Sequence, residues 1–485
     1  MLRHALAAAA LSISLALAGL TQAASPPNGA APPIAFKERR LANGLLLLTS
    51  LDRATPNVTV QVWYGVGSKN DPAGRSGFAH LFEHLMFKAA KDLPPESFDR
   101  LTEDVGGMNN ASTYDDFTNY FEVVPANHLE RLLWAESERM GSLVVDPANF
   151  KSERQVVEEE LRQRVLASPY GRLFSLYVPQ ATYRVHPYHR PGIGSIEELD
   201  AATVDDVRAF HQAFYRPDNA ALIVVGNFDE AKLNAWVDRY FGQLKRPAQP
   251  IRKVTAVEPA RTGPGVYDGY GPTVPLPAVV ITWLGVKASD PDAPALKVLD
   301  QILSGGKSSR LYDSLVYDKR IASEVYSNAD LPQQAGSFMV GAVMASGHGL
   351  DEGETALLAE VAALRAHPPS AAELDEAKNE LIAGKLRERE TIEGRGFALG
   401  YALRIQGDPA KANTELADLQ AVTAADVQRV AQAYLDPNRR MTIRYRAESE
   451  RPKGEPAAPT PAPPKRAVKY TGPVFKLAPP AQRQK

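Results

Sequence analysis

Cysteine is missing from all 485 residues of the chain. Its absence excludes disulfides, thiol nucleophiles, thiolate metal sites and lipid attachment at a cysteine, and leaves stability to the large cores that a chain of this length can bury. Charge of one sign is missing too. With 55 Lys and Arg against 57 Asp and Glu, the formal net charge is -2, so neither nucleic acid nor an anionic membrane is called for as a partner. Long apolar runs are also lacking. The only candidate, Ala5 to Leu20, is short and Ala-rich for a membrane span. Arg3 ahead of it and the small residues up to Ala23 behind it give the layout of a signal peptide over residues 1–24. The expectation is an exported protein without a membrane span, in a bacterial periplasm or secreted beyond it.

Histidine is scarce, nine in all, yet two fall within one string, His80-Leu81-Phe82-Glu83-His84. This is the H-x-x-E-H order of an inverted zinc-protease motif. On a helix the two imidazoles stand one turn apart on one face and can reach one ion, with Glu83 on the adjacent edge. Leu81, Phe82 and Leu85 then turn into a core. Catalytic zinc takes three protein ligands and keeps its fourth position for water, so a third ligand has to come from elsewhere. The alternative is a pair of hydrogen-bonded core histidines, and the surroundings of the string argue against it.

Those surroundings are Gly77-Phe-Ala-His-Leu-Phe-Glu-His-Leu-Met-Phe-Lys88 and, downstream, Ser152-Glu-Arg-Gln-Val-Val-Glu-Glu-Glu-Leu161. Both resemble the pitrilysin/insulinase-like zinc metallopeptidases, the group that includes insulysin and the mitochondrial processing peptidase. The resemblance covers about residues 36–446. It implies one Zn2+ per chain, held by His80, His84 and Glu160, and Glu83 as the base that takes a proton from the water the metal activates. Glu153, two helical turns before Glu160 and on the same face, is grouped with the catalytic residues as a carboxylate that orients the site. Glu158 and Glu159 are expected to face solvent. A further match, Gly106-Gly-Met-Asn-Asn-Ala-Ser-Thr113, implies that Asn110 and Ala111 lie on an edge strand that binds substrate backbone by strand addition.

An internal repeat sets the organisation. Leu199–Val225 and Leu419–Tyr445 align without gaps at an offset of 220, with Thr203/Thr423, Asp206/Asp426, Val207/Val427 and Pro217/Pro437 among the identical pairs. Each copy reads as a Thr-capped helix, a Pro turn and an apolar strand. The expected fold is α+β. It has two homologous domains, each a largely antiparallel sheet with packed helices, of the kind that forms a clamshell. The boundaries are 36–244 for the metal-binding peptidase domain, 245–264 for a Pro-rich linker, 265–446 for a domain without metal, and 447–485 for a Pro-rich tail that is extended or disordered. The offset carries the zinc string onto Asp300-Gln-Ile-Leu-Ser304, so the second copy has no metal site. The Gly-Lys-Ser that follows lacks the glycine a phosphate-binding loop needs at 301, where the chain has Gln301.

Relatives in the family carry an arginine and a tyrosine after this Gly-rich loop, and the ungapped alignment puts Val316 and Ser323 there. That departure implies a heterodimer with a related, zinc-free subunit that supplies the pair, or a chain that works alone with weaker electrostatic stabilisation. His186 and His189 sit among prolines and read as a loop rather than a second metal site. His128, His211, His348 and His367 are isolated. The expected activity is that of a metalloendopeptidase acting on unfolded peptides or short polypeptides. The rival is a non-catalytic scaffold or peptide-binding protein of the same fold, against which the intact Glu83 speaks.

Overall fold

The computed structural model describes residues 32–454 and the backbone of Tyr470–Thr471. The signal-peptide reading and most of the tail lie outside the described residues. Within them no helix is long and apolar enough to cross a membrane.

Two sheets are built to one plan. The first holds β1 (Lys37–Arg40), β2 (Leu46–Leu51), β3 (Asn57–Tyr64), β4 (Met108–Thr113), β5 (Thr118–Pro125) and β6 (Ala220–Gly226), in the order β1-β2-β6-β3-β5-β4. The second holds β7 (Gly265–Gly271), β8 (Ala278–Leu284), β9 (Ala322–Asp330), β10 (Ser337–Met344) and β11 (Met441–Ala447), in the order β7-β11-β8-β10-β9. β2 runs parallel to β6 and β7 parallel to β11, and every other pairing is antiparallel. Apart from β1 the two orders coincide, as the repeat predicts.

The strands alternate because both faces of each sheet are covered. In β3, Val58, Val60, Val62 and Tyr64 enter one core, joined by Leu222 and Val224 of β6. Trp63, Ala221, Ile223 and Val225 enter another on the opposite face. The first core receives helices of the first half: α1 (Phe78–Leu85), α2 (Pro147–Glu160) and α3 (Val204–Phe214). The second half stacks α4 (Ala293–Ser304), α5 (Ala371–Glu390) and α7 (Ala424–Tyr434) in the same manner. Helix starts follow side-chain chemistry. Asp146 accepts from the backbone N–H of Ala148 and Asn149 at 2.8 Å ahead of α2, and Thr203/Asp206 and Thr423/Asp426 form matching capping boxes on α3 and α7.

The outer face of each sheet is covered by the other half. α6 (Ile392–Tyr401), from the second half, lays Leu399 against Leu48, Trp63 and Ile223. Glycines permit that approach: a Cβ at Gly400 would stand 2.2 Å from the Trp63 ring and one at Gly396 2.5 Å from Gln61 Nε2. In exchange, Leu161, Val165, Leu173 and Tyr177 of the first half pack on Ala278, Val280, Ile443 and Tyr445 of the second sheet. The helix that ends in Glu160 is therefore anchored across both halves. The segment 245–264, expected as a linker, is tied down at Glu258, which accepts from the backbone N–H of Arg184, Val185 and His186 at 2.8–2.9 Å. Its two-residue strand Lys253–Val254 pairs with Tyr470–Thr471.

Candidate metal centre

α1 starts where the chain turns at Gly77, whose φ of 94° and close approach to the Ile193 carbonyl, 2.8 Å from where a Cβ would lie, call for glycine. The buried Asp71 carboxylate accepts from the backbone N–H groups of Gly77 and Ala79 at 2.7 and 2.9 Å, satisfying donors that a helix start leaves open. Phe78, Leu81, Phe82 and Leu85 are buried as the pattern requires. Phe82 is stacked against Phe210 and Tyr215. This packing fixes the rotation of α1, and the opposite face carries His80, Glu83 and His84.

α2 crosses that face. His80 Nε2 stands 3.6 Å and His84 Nε2 3.4 Å from the same oxygen, Glu160 Oε2. The two imidazole rings lie 4.9 Å apart and nearly perpendicular. Among the described residues these three form the one group of His, Asp and Glu side chains whose ligand atoms converge, all within 4.8 Å. Separations of 3.4–3.6 Å are long for hydrogen bonds. They match the edge of a tetrahedron around zinc, about 3.3 Å for bonds of about 2.0 Å. The donor set, two imidazoles and a carboxylate, is also one that zinc accepts, so the residues present fit the ion.

The surroundings act on the two imidazoles in opposite directions. Burial, with the neighbouring His84 and Arg164, pushes the His80 imidazole down to about 3, so that it stays neutral. Burial also pulls His84 down, but the nearby carboxylates of Glu153, Glu83 and Glu160 outweigh this and raise it. Glu153 Oε2 lies 3.7 Å from His84 Nδ1, and its other oxygen 3.0 Å from Lys88 Nζ. Burial raises Glu153, and these two partners more than reverse that effect. A carboxylate on the far nitrogen of a ligating histidine is the arrangement that sets the tautomer at such sites. Burial raises Glu83, and the nearby Thr113 hydroxyl of β4 partly offsets the rise.

β4 is the edge of its sheet, pairing only with β5 among the described strands. Asn110 is exposed and its Oδ1 accepts from the Ala111 N–H at 2.8 Å, so that N–H does not serve the ladder with Tyr120. An open cleft of about 600 Å³ beside the metal group is lined by His84, Gln155, Val156, Glu160, Gln163 and Arg164, among others.

One expectation is corrected. Glu158 does not face solvent: it is buried, 7 % exposed, and pairs with Arg154 and Arg162 on its own helix at 3.5 and 3.3 Å. Glu159 is exposed as expected. His186 and His189 do not converge on an ion. His186 Nε2 meets Gln334 Oε1 at 2.7 Å, and His189 Nδ1 meets the His186 carbonyl at 2.7 Å. Val316 offers hydrocarbon only, and Ser323 Oγ donates to the Val343 carbonyl within its own sheet at 3.2 Å. Lys88, Thr113 and Arg164 escaped the sequence reading. Lys88 closes the string itself, and Arg164 stands one helical turn beyond Glu160, where a cation was the available signal.

Comparison with known proteins agrees with this geometry. Residues 47–195 match the family model described as Insulinase (Peptidase family M16), and residues 201–381 match the one described as Peptidase M16 inactive domain. A protein named zinc protease PqqE from Helicobacter pylori is 37% identical over 294 residues, 59% of this chain and 65% of that protein's length. An uncharacterized zinc protease from Mycobacterium leprae is 32% identical over 321 residues, covering 64% of this chain and 69% of the relative. The crystal structure of a protease from Helicobacter pylori superposes with a TM-score of 0.81 at 30% identity, over 85% of this chain and 100% of that one. The chain belongs to peptidase family M16, the insulinase family.

Proposed function

We propose that the chain is a zinc-dependent endopeptidase with one ion held by His80, His84 and Glu160. The observation that carries this reading is the convergence of three ligand atoms on one point, with a half-buried carboxylate, Glu83, on the same helix face. Zinc there supplies Lewis-acid polarisation of a peptide carbonyl and a water acidic enough to ionise near neutral pH. Glu83, with its basicity raised by burial, accepts the proton that water gives up as its oxygen bonds to the carbonyl carbon. It returns that proton to the amine nitrogen as the C–N bond breaks. The Thr113 hydroxyl on the edge strand favours the ionised form of Glu83. Glu153 keeps the His84 ring oriented.

Asn110 and Ala111 on β4 offer backbone to an extended chain, which favours unfolded peptides and short polypeptides as substrates. The layout of residues 1–24 supports export. A second reading concerns assembly: because Val316 has no donor and the Ser323 hydroxyl is engaged, a related zinc-free subunit would supply the missing electrophile. The test is cleavage of a library of unstructured peptides by the zinc-loaded chain alone, with Glu83→Gln as control. Activity that falls on the order of 10³- to 10⁴-fold in the control supports the peptidase and removes the need for a partner. Equal cleavage by the two proteins would sink the role of Glu83, and no cleavage by either despite bound zinc would leave the two-subunit reading or a peptide-binding role.

A further inference from the structure

Amide hydrolysis places negative charge on the carbonyl oxygen as the tetrahedral centre forms, and preorganised donors at that point are worth much of the rate. The second half offers little for this, with Val316 apolar and the Ser323 hydroxyl turned to its own sheet. The first half has a cation in place. Among the described residues, Arg164 is the only lysine or arginine lining the cleft beside the metal group.

Its geometry is specific. Arg164 Nη1 lies 2.6 Å from Glu160 Oε1, the oxygen that does not face the histidines. One nitrogen of a five-donor guanidinium is thereby committed, while the side chain, which lines the cleft, is 77% exposed to solvent. The backbone holds it there. At Leu161, the residue after Glu160, the helix widens into a turn with i to i+5 bonds, of which the Ala167 N–H to Arg162 carbonyl at 2.8 Å is one. Leu161 and Val165 are buried against the second sheet. They fix the two residues around which Arg164 projects. Lys88, the other cation near the group, is engaged with Glu153 and does not line the cleft.

We infer that Arg164 is a catalytic residue of this chain, anchored on Glu160 and donating its remaining N–H groups to the substrate carbonyl oxygen as that oxygen becomes an anion. The inference rests on the endopeptidase reading. It makes the chain self-sufficient for oxyanion stabilisation, the opposite of the two-subunit reading.

The test separates binding from turnover. A phosphinic pseudopeptide, which mimics the tetrahedral state, and its parent peptide are titrated by calorimetry into zinc-loaded Glu83→Gln, with and without Arg164→Gln. Zinc content is checked by atomic emission, and kcat/KM is measured with Glu83 intact. Removing Arg164 is expected to weaken the phosphinic ligand at least 30-fold and the parent peptide less than threefold, and to lower kcat/KM about 100-fold, mainly in kcat, with partial recovery in Arg164→Lys. Equal loss for both ligands, or a loss abolished by raising the zinc concentration, would overturn the inference and leave Arg164 as a residue that only positions Glu160. A chain that binds zinc and the phosphinic ligand equally well with or without Arg164 overturns it too, with the endopeptidase reading intact. Failure of the parent chain to bind zinc or either ligand brings down both.

Discussion

α1 and α4 occupy the same place in two copies of one design. Each follows the third strand of its plan and precedes the edge strand, and each touches that edge strand with a polar side chain. In the first half the contact is Glu83 with Thr113 of β4. In the second it is Asp300, which accepts from Ser327 Oγ and, at 3.1 Å, from the Ala329 N–H of β9, with Ser304 Oγ 2.7 Å from Ser327 Oγ. The offset of 220 also carries Glu153 onto Glu373 and Glu160 onto Glu380. Both carboxylates survive on α5, but each is occupied. Glu373 pairs with Arg310 at 2.7 Å, and Glu380 accepts from Gln301 Nε2. The lesson is that the carboxylates are common to both halves, whereas the imidazoles set the chemistry. Where a carboxylate and a hydroxyl, Asp300 and Ser304, replace the imidazoles, the same junction closes on itself with hydrogen bonds.

That contrast can be broken at Glu153 and its counterpart. Glu153→Gln removes the charge on His84 Nδ1 and is expected to weaken zinc binding 10- to 100-fold, read by chelator competition, whereas Glu373→Gln should leave zinc affinity unchanged. Equal effects in the two halves would contradict the account. A more demanding test restores the sequence motif without the geometry. Asp300→His with Ser304→His puts imidazoles at the positions the offset assigns, but Asp300 and Ser304 face β9 while Gln301 faces Glu380. The double variant should bind no second ion and lose about 1–3 kcal/mol for the buried hydrogen bonds it removes, seen as a lower Tm. A second equivalent of tightly bound zinc would show that sequence position alone suffices.

A last contrast concerns His211, on α3 behind α1, where the second half has Ala431. Burial pushes this imidazole down from 6.5 to about 4, and its ring is stacked on Phe82 and Tyr215. A depressed folded value means that the unfolded chain takes up the proton first. Stability from this group is complete above pH 6.5 and declines as pH falls toward 4, by on the order of 3 kcal/mol. His211→Phe should flatten the fall in Tm between pH 7 and pH 5, and an unchanged slope would show that the ring already finds a proton acceptor.

The zinc string was legible because its information is local: two histidines one turn apart on a helix need no tertiary knowledge to share a face. The repeat was legible for a related reason, since Thr203/Asp206 and Thr423/Asp426 are capping boxes written in the sequence and found in both copies. Glu160 was reachable only through resemblance, because its approach to His80 depends on how α2 crosses α1. Glu158 was misjudged for the same reason: the helix period gives its direction, but the packing that buries it comes from other elements. Thr113 meets α1 only through the fold, whereas the Arg164–Glu160 pair lies four residues apart on one helix and was within reach of the sequence. The exchange of α6 for the Leu161–Tyr177 segment between the sheets left no signal that distinguishes it from ordinary amphipathic packing.

The central claim is that one half of the chain, and one alone, holds an ion. Metal stoichiometry of the full chain, measured after zinc loading and dialysis for the parent protein and for His84→Ala, tests it directly. The account predicts one zinc per chain in the parent and none retained in His84→Ala. Two ions in the parent, or one that persists without His84, would contradict it.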